Sequence, residues 1–247
     1  MHKLLAAFEE RLAEVNTYLD FLISLDEQTK RGPPKLVGAI NSITAEQQRI
    51  LYSSVYLHLY NLVESTMTRC IEAVAQSTHS AGCWVPKNLS SSLRREWVRL
   101  KARTHTDLTP EHRLESALNL FEDLVAQKPL SEFEFDRGGG GNWDDDAIQK
   151  MSERMGCNLS IEKSYSAIKR PGRNNLKPLS LVKELRNNLA HGKISFAECA
   201  QDSTVGELLD LRDKTALYLR EVVFSFIDYL NKFEFLSPQH RPTEILK

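Results

Sequence analysis

The stretch "SLVKELRNNLAHGKISF", residues 180–196, carries two distinct faces at the helical period. At about 100° per residue, Leu181, Val182, Leu185 and Leu189 fall on one side, the stripe that a helix buries. Lys183, Arg186, Asn187 and His191 fall on the other. Asn187 and His191 are an i, i+4 pair, so their side chains share a face, and Arg186 flanks them one step round the helix. Gly192 supplies the left-handed stop. Such a cluster is either an ordinary solvated helix end or a small anion-handling site.

Helical periodicity continues on both sides. A final long helix is predicted over about residues 204–235, where Thr215, Leu219, Val222, Phe226, Tyr229 and Phe233 step by four and three. At the other end, Leu5, Phe8, Leu12, Val15, Leu19 and Leu22 form a heptad seam over residues 1–30. "KRGPPK" at 30–35 stops that helix, because paired prolines cannot continue its hydrogen bonding. Thr44 with Gln47 reads as a capping box for a second long helix reaching about residue 78. Its middle is apolar on most sides, which makes it the central helix.

Residues 80–178 change character. Short helical patches are separated by "AGCWVPKN", "LTPEHR", "AQKPLSEFEFDRGGGGNWDD" and "KRPGRNN". The glycine run 138–141 is a hinge or tight turn, and Asn142 or Asp144 caps a short helix that runs to Met155 and closes at Gly156. A phosphate-cradling loop needs a lysine and a hydroxyl after the glycines, and acidic residues follow instead. "FEF" at 133–135 is too short to build a sheet. The expected architecture is an all-α antiparallel bundle with this less regular insertion draped over one end.

With 247 residues, 41% of them hydrophobic, the chain is long enough for a sizeable core. A formal net charge of −1 argues against coating nucleic acid by bulk charge, so any such contact is local. The leading "MHKLLAAFEERLAEV" has no continuous apolar h-region, and no apolar run approaches the roughly 20 residues of a membrane span. Cytoplasmic residence away from membranes is the expectation. Cys70, Cys83, Cys157 and Cys199 have no paired spacing and read as free buried thiols. No histidine stands at a metal-ligand spacing from another His, Cys or acid, so neither a metal nor a cofactor is expected.

Charge is unevenly spread. Between residues 163 and 193 lie Lys163, Lys169, Arg170, Arg173, Lys177, Lys183, Arg186 and Lys193 against Glu184 alone. A second block, "RREWVRLKAR" at 94–103, puts Arg95, Arg99 and Arg103 on one face beside Trp97. Such blocks suit phosphates, and a neighbouring aromatic could stack a base, although solvated helix faces look alike. No nucleophile elbow, Walker or kinase set exists. His191 is the best titratable candidate, because imidazole titrates near working pH and shares its helix end with a fixed guanidinium. The bland alternative is a C-terminal dipole partner.

"LRNNLAHG" is similar to the R-x4-6-H signature of the HEPN superfamily, the higher-eukaryote and prokaryote nucleotide-binding helical domains, with four residues between Arg186 and His191. "LYNLVEST", "GGNWDDDAIQKMSERMG" and "RNNLAHGKISFAE" resemble blocks of the stand-alone bacterial HEPN-like nucleases of toxin and antiphage defence systems. The resemblance covers about residues 45–235, with the leading helix peripheral; the corresponding domain spans 44–236 with an insertion at about 80–178. It implies a HEPN-type bundle and a metal-independent endoribonuclease working as a homodimer with a composite site. His191 would be the general acid or base, Arg186 would neutralise phosphorane charge, and Asn187 would orient the phosphate or imidazole. The RNA 2′-hydroxyl would be the nucleophile, leaving a 2′,3′-cyclic phosphate. Glu64, Lys183 and Asn188 are supporting candidates. Lys169, Arg170, Arg173, Lys177, Lys193, Arg95, Arg99 and Arg103 are RNA-binding candidates. An antitoxin or other regulatory protein is an implied partner. A non-catalytic HEPN module that binds RNA or a nucleotide, or scaffolds a complex, is the alternative, and an interaction protein using only its first and last helices is a third.

Overall fold

The computed structural model describes residues 2–36, 38, 40–79, 84–104, 106–130, 133–136 and 142–242. Among these the chain is all-α, with no strand and one isolated antiparallel bridge between Leu89 and Leu236. Three long helices form the frame: α1 (His2–Thr29), α2 (Ala45–His79) and α9 (Val205–Asn231). The capping box of α2 is present, with Thr44 N–H donating to Gln47 at 2.8 Å and Gln47 N–H to the Thr44 hydroxyl at 3.1 Å. Thr204 and Glu207 make the same arrangement for α9.

Helix α2 is central because it is apolar nearly all round: Val55, Tyr56, Leu59, Tyr60, Leu62, Val63, Met67 and Cys70 are all buried. Helix α1 packs along both α2 and α9 through Leu4, Phe8, Leu12, Val15, Leu19 and Leu22. The seam therefore starts at Leu4, with Leu5 only partly buried. Glu9 accepts from two guanidinium nitrogens of Arg220 at 2.9 and 3.1 Å, Asn16 accepts from Arg212, and Tyr18 donates to the Leu51 carbonyl at 2.7 Å. The leading helix is thus a full member of the bundle and not a peripheral addition, because a stripe of this width has to be covered along its whole length.

Helix α9 stops four residues before the periodicity predicts. Phe233 takes a left-handed φ of 52°, and Glu234 N–H closes the turn onto the Tyr229 carbonyl at 3.0 Å. The chain then pins itself beside residues 88–90, with Ser90 N–H donating to Phe235 and Ser237 N–H to Asn88. Pinning to that segment overrides the helical pattern.

The insertion holds α3 (Ser91–Lys101), α4 (Pro110–Val125), α5 (Asp145–Met155) and the short α6 (Tyr165–Lys169). Asp144 caps α5, accepting from Ala147 N–H at 2.9 Å, and Gly156 ends it at a φ of 78°. The glycine run 138–141 lies outside the described residues. Then come α7 (Pro178–Ala190), the motif helix, and one turn, α8 (Phe196–Cys199). In α7 the predicted stripe of Leu181, Val182, Leu185 and Leu189 is buried. Its end is a complete Schellman closure: Gly192, at a φ of 65°, donates to the Leu189 carbonyl and Lys193 to that of Asn188. No described helix is long and apolar enough to cross a membrane.

Candidate functional site

Burying the leucine stripe of α7 forces Lys183, Arg186, Asn187 and His191 toward the outside. Arg186 is held from three directions. Its guanidinium lies 4.2 Å from the centre of the Tyr60 ring on α2, one nitrogen donates to the Asn187 carboxamide oxygen at 2.8 Å, and another stands 3.7 Å from Glu64. Stacking on an aromatic face leaves the edge of a guanidinium available for anions, which is the geometry phosphate recognition uses. Arg186 and Glu64 are both partly exposed, so their attraction is screened and worth little by itself.

Asn187 continues the chain of contacts, its amide donating to the Asn142 carboxamide oxygen at 3.2 Å. The segment 142–144 grips the site at two further points. Trp143 N–H donates to the Tyr60 hydroxyl at 3.2 Å, and the Asp144 carboxylate pairs with Lys183. Burial pushes the Tyr60 phenol up, so it stays protonated and neutral under the guanidinium. Asn142 and Tyr60 are contributors that sequence reasoning missed as site residues. Tyr60 lies four residues before Glu64 in "LYNLVEST", the spacing that puts both on one face of α2; for Asn142 no local signal existed.

His191 caps α7, with its N–H on the Asn187 carbonyl at 3.0 Å, and its side chain is exposed. The imidazole has no hydrogen bond among the described residues. Asn188 is half-buried beside it. The helix end thus presents an imidazole, a carboxamide and an oriented guanidinium together at solvent.

The remaining basic candidates divide. Lys169 and Lys177 both clamp the fully buried Asp145, at 2.7 and 3.2 Å, and the neighbouring Asp146, at 3.1 and 2.7 Å. Hydrogen bonding from Lys177, with help from Lys169, pulls the Asp146 carboxyl down to about 2. Arg173 turns inward onto the Ser203 hydroxyl at 2.6 Å, the Tyr56 hydroxyl at 3.1 Å and the Cys199 carbonyl at 3.1 Å. Lys169, Lys177 and Lys183 are thus ion-paired within the fold, and Arg173 spends its donors there. Three cations of the basic stretch 163–193 are met by Asp144, Asp145 and Asp146, which sequence distance had hidden. Arg170 and Lys193 stay exposed.

In the second block, Arg95 and Arg99 line a groove between α3 and α5, whereas Arg103 lies past the end of α3 at a φ of 50°. Trp97 is 2% exposed, so the expectation that it could stack a base fails: the face of α3 opposite the arginines is the one that packs. Cys70, Cys157 and Cys199 are free and buried, Cys83 lies outside the described residues, and burial pushes the Cys157 thiol up to about 12. Among the described residues no three His, Cys, Asp or Glu side chains converge as a metal's ligands would.

No curated protein and no solved structure matches this chain. A family model described as HEPN_MAE_28990-like HEPN matches residues 1–235, so the match includes α1, which the motif resemblance had left outside. With its all-α bundle and its Arg186–His191 motif at one helix end, the chain belongs to the HEPN_MAE_28990-like HEPN family, in a superfamily of nucleases and RNA-binding modules.

Proposed function

We propose that the protein is a metal-independent endoribonuclease, a toxin or antiphage defence effector, that cleaves RNA at a composite site formed by two copies of α7. The observation that carries this reading is the helix end itself, where His191 and Asn187 share an accessible face with an arginine already stacked on Tyr60. RNA brings its own nucleophile, the 2′-hydroxyl, so the protein needs a proton-transfer group and a cation on the phosphate. His191 would take the proton from the 2′-oxygen or deliver one to the departing 5′-oxygen. Arg186 would stabilise the charge that builds on the equatorial phosphoryl oxygens, and Asn187 would hold the phosphate or the imidazole. The products would be a 2′,3′-cyclic phosphate and a 5′-hydroxyl. One helix end offers a single imidazole, and a two-fold axis beside it would supply the second proton-transfer group.

The test is total RNA resolved on a denaturing gel after induced expression, wild type beside His191→Ala and Arg186→Ala, followed by the purified proteins in EDTA. Cleavage by the wild type alone, unaffected by EDTA, is expected; full cleavage by His191→Ala refutes the catalytic assignment. A second reading, a HEPN module that binds RNA without cutting it, draws support from Glu64, whose carboxylate sits beside Arg186 and offsets part of its charge. RNA binding with intact RNA throughout would select it.

A further inference from the structure

The groove between α3 and α5 encloses about 530 Å³ and is lined by Arg95, Glu96 and Arg99 from α3 and by Lys150, Glu153 and Arg154 from α5. Its floor is built around one buried carboxylate. Glu96, 5% exposed, takes Arg154 in a two-point fork at 3.2 and 2.7 Å and Arg99 at 2.8 Å. One acid therefore fixes two guanidiniums from two helices. A preset guanidinium loses less conformational freedom on meeting an anion than a free one.

The rims add more. Arg95 and Lys150 are exposed and have no carboxylate or hydrogen-bond partner among the described residues. Glu153, the other acid of the groove, is engaged by the Gln149 amide at 3.0 Å. Glu134 and Asp136 line an adjoining cavity that shares Glu96 and Arg99, and the Asp136 charge also acts on Arg154, so the cations of the groove without an acid of their own are Arg95 and Lys150. Lys150 and Arg154 lie on the same helix whose capping residue, Asp144, holds Lys183 of the motif helix. Lys150 stands six positions after Asp144, about 9 Å along the axis.

We propose that this groove is an accessory subsite for the sugar-phosphate backbone of single-stranded RNA, with Arg95 and Lys150 contacting phosphates over the preset Arg99–Glu96–Arg154 floor. It takes its ligand from the RNA reading above and is independent of whether the motif helix cleaves. The sequence block around Arg95 supplied half of this arrangement; Lys150, Arg154 and the organising role of Glu96 come from the packing of α5 on α3.

The test is fluorescence anisotropy with a labelled single-stranded RNA oligonucleotide of mixed sequence, bound to the full-length His191→Ala protein across a salt series. Each phosphate contact on a single strand contributes about 0.7 to the slope of log K against log salt. Arg95→Ala with Lys150→Ala is expected to weaken binding alike for different sequences and to lower the slope by about 1.4. Arg31→Ala, in the turn after α1, is expected to leave the slope unchanged. Both groove residues are exposed and unpartnered, and a circular dichroism melt checks that the double variant folds. An unchanged slope in the folded double variant overturns the proposal, as does an equal drop in Arg31→Ala or an absence of RNA binding by the parent. Intact RNA in the wild-type cleavage assay together with a lowered slope here would refute the nuclease and uphold the groove.

Discussion

Replacing Asp145 by asparagine tests the clamp that joins the insertion to the motif helix. The Asp145 side chain is 0% exposed, and one of its oxygens accepts from both Lys169, at 2.7 Å, and Lys177, at 3.2 Å. A hydrogen bond to a charged group contributes about 1.5–3 kcal/mol, and removing one member of a buried pair costs about 3–5 kcal/mol when the survivor is left buried and alone. Here neither lysine is left alone. Each is about a quarter exposed and keeps Asp146, at 3.1 and 2.7 Å, and the second Asp145 oxygen has no donor among the described residues. Losing that desolvated charge returns part of the cost. The expected loss is about 2 kcal/mol, a fall in Tm of about 4–8 °C for a chain of this size. Thermal and urea unfolding followed by circular dichroism at pH 7 measure it. A double-mutant cycle with Lys177→Met isolates the pair, with an expected coupling of about 1 kcal/mol. A loss below about 0.5 kcal/mol, or strict additivity in the cycle, would show that Asp145 is not what ties the start of α5 to the start of α7.

Three further outcomes rest on the contacts around Tyr60 and Asp146. Tyr60→Phe keeps the ring under Arg186 and removes the hydroxyl that accepts from Trp143 N–H, so it should cost about 1 kcal/mol of stability and leave RNA cleavage within a few-fold of wild type. Tyr60→Leu removes the stacking face and should lower cleavage at unchanged fold; equal activity in both variants would remove the ring from the account. The third outcome concerns pH. Because Asp146 is held at about 2, below its unfolded value, its contribution is fully present above about pH 4 and is lost as pH falls from 4 toward 2. The carboxylate is about half exposed, so screening limits this to about 1 kcal/mol. Asp146→Asn should flatten that part of the stability–pH curve, measured by urea midpoints between pH 2 and 5.

The helices were readable because a buried stripe repeats at the helical period within one segment. Leu181, Val182, Leu185 and Leu189 needed no partner to be recognised, and the Thr44–Gln47 and Gly192 signals mark ends through bonds to atoms a few residues away. The seam of α1 was equally plain, but periodicity says that a face is covered and not by what, so its place between α2 and α9 had to come from the fold. The same limit explains the end of α9, where an apolar Phe233 continued the pattern while contact with residues 88–90 ended the helix.

For the site, the local motif was sufficient to assemble Arg186, Asn187 and His191, since one turn of helix fixes their spacing. Charge was the property that the linear pattern misjudged. Lys169, Lys177 and Lys183 looked like an anion-binding strip until folding brought Asp144, Asp145 and Asp146 against them from more than 20 residues away. Arg95 and Arg99 read as RNA-binding candidates or as a solvated helix face, and only the fold supplied the opposite wall from α5. Sequence alone determined which segments are helical and which helix end carries the motif, because those depend on neighbours along the chain. Tertiary structure alone decided which cations are spent inside the fold and which still face solvent, because Coulomb energy depends on distance through space and on burial, neither of which a linear order contains.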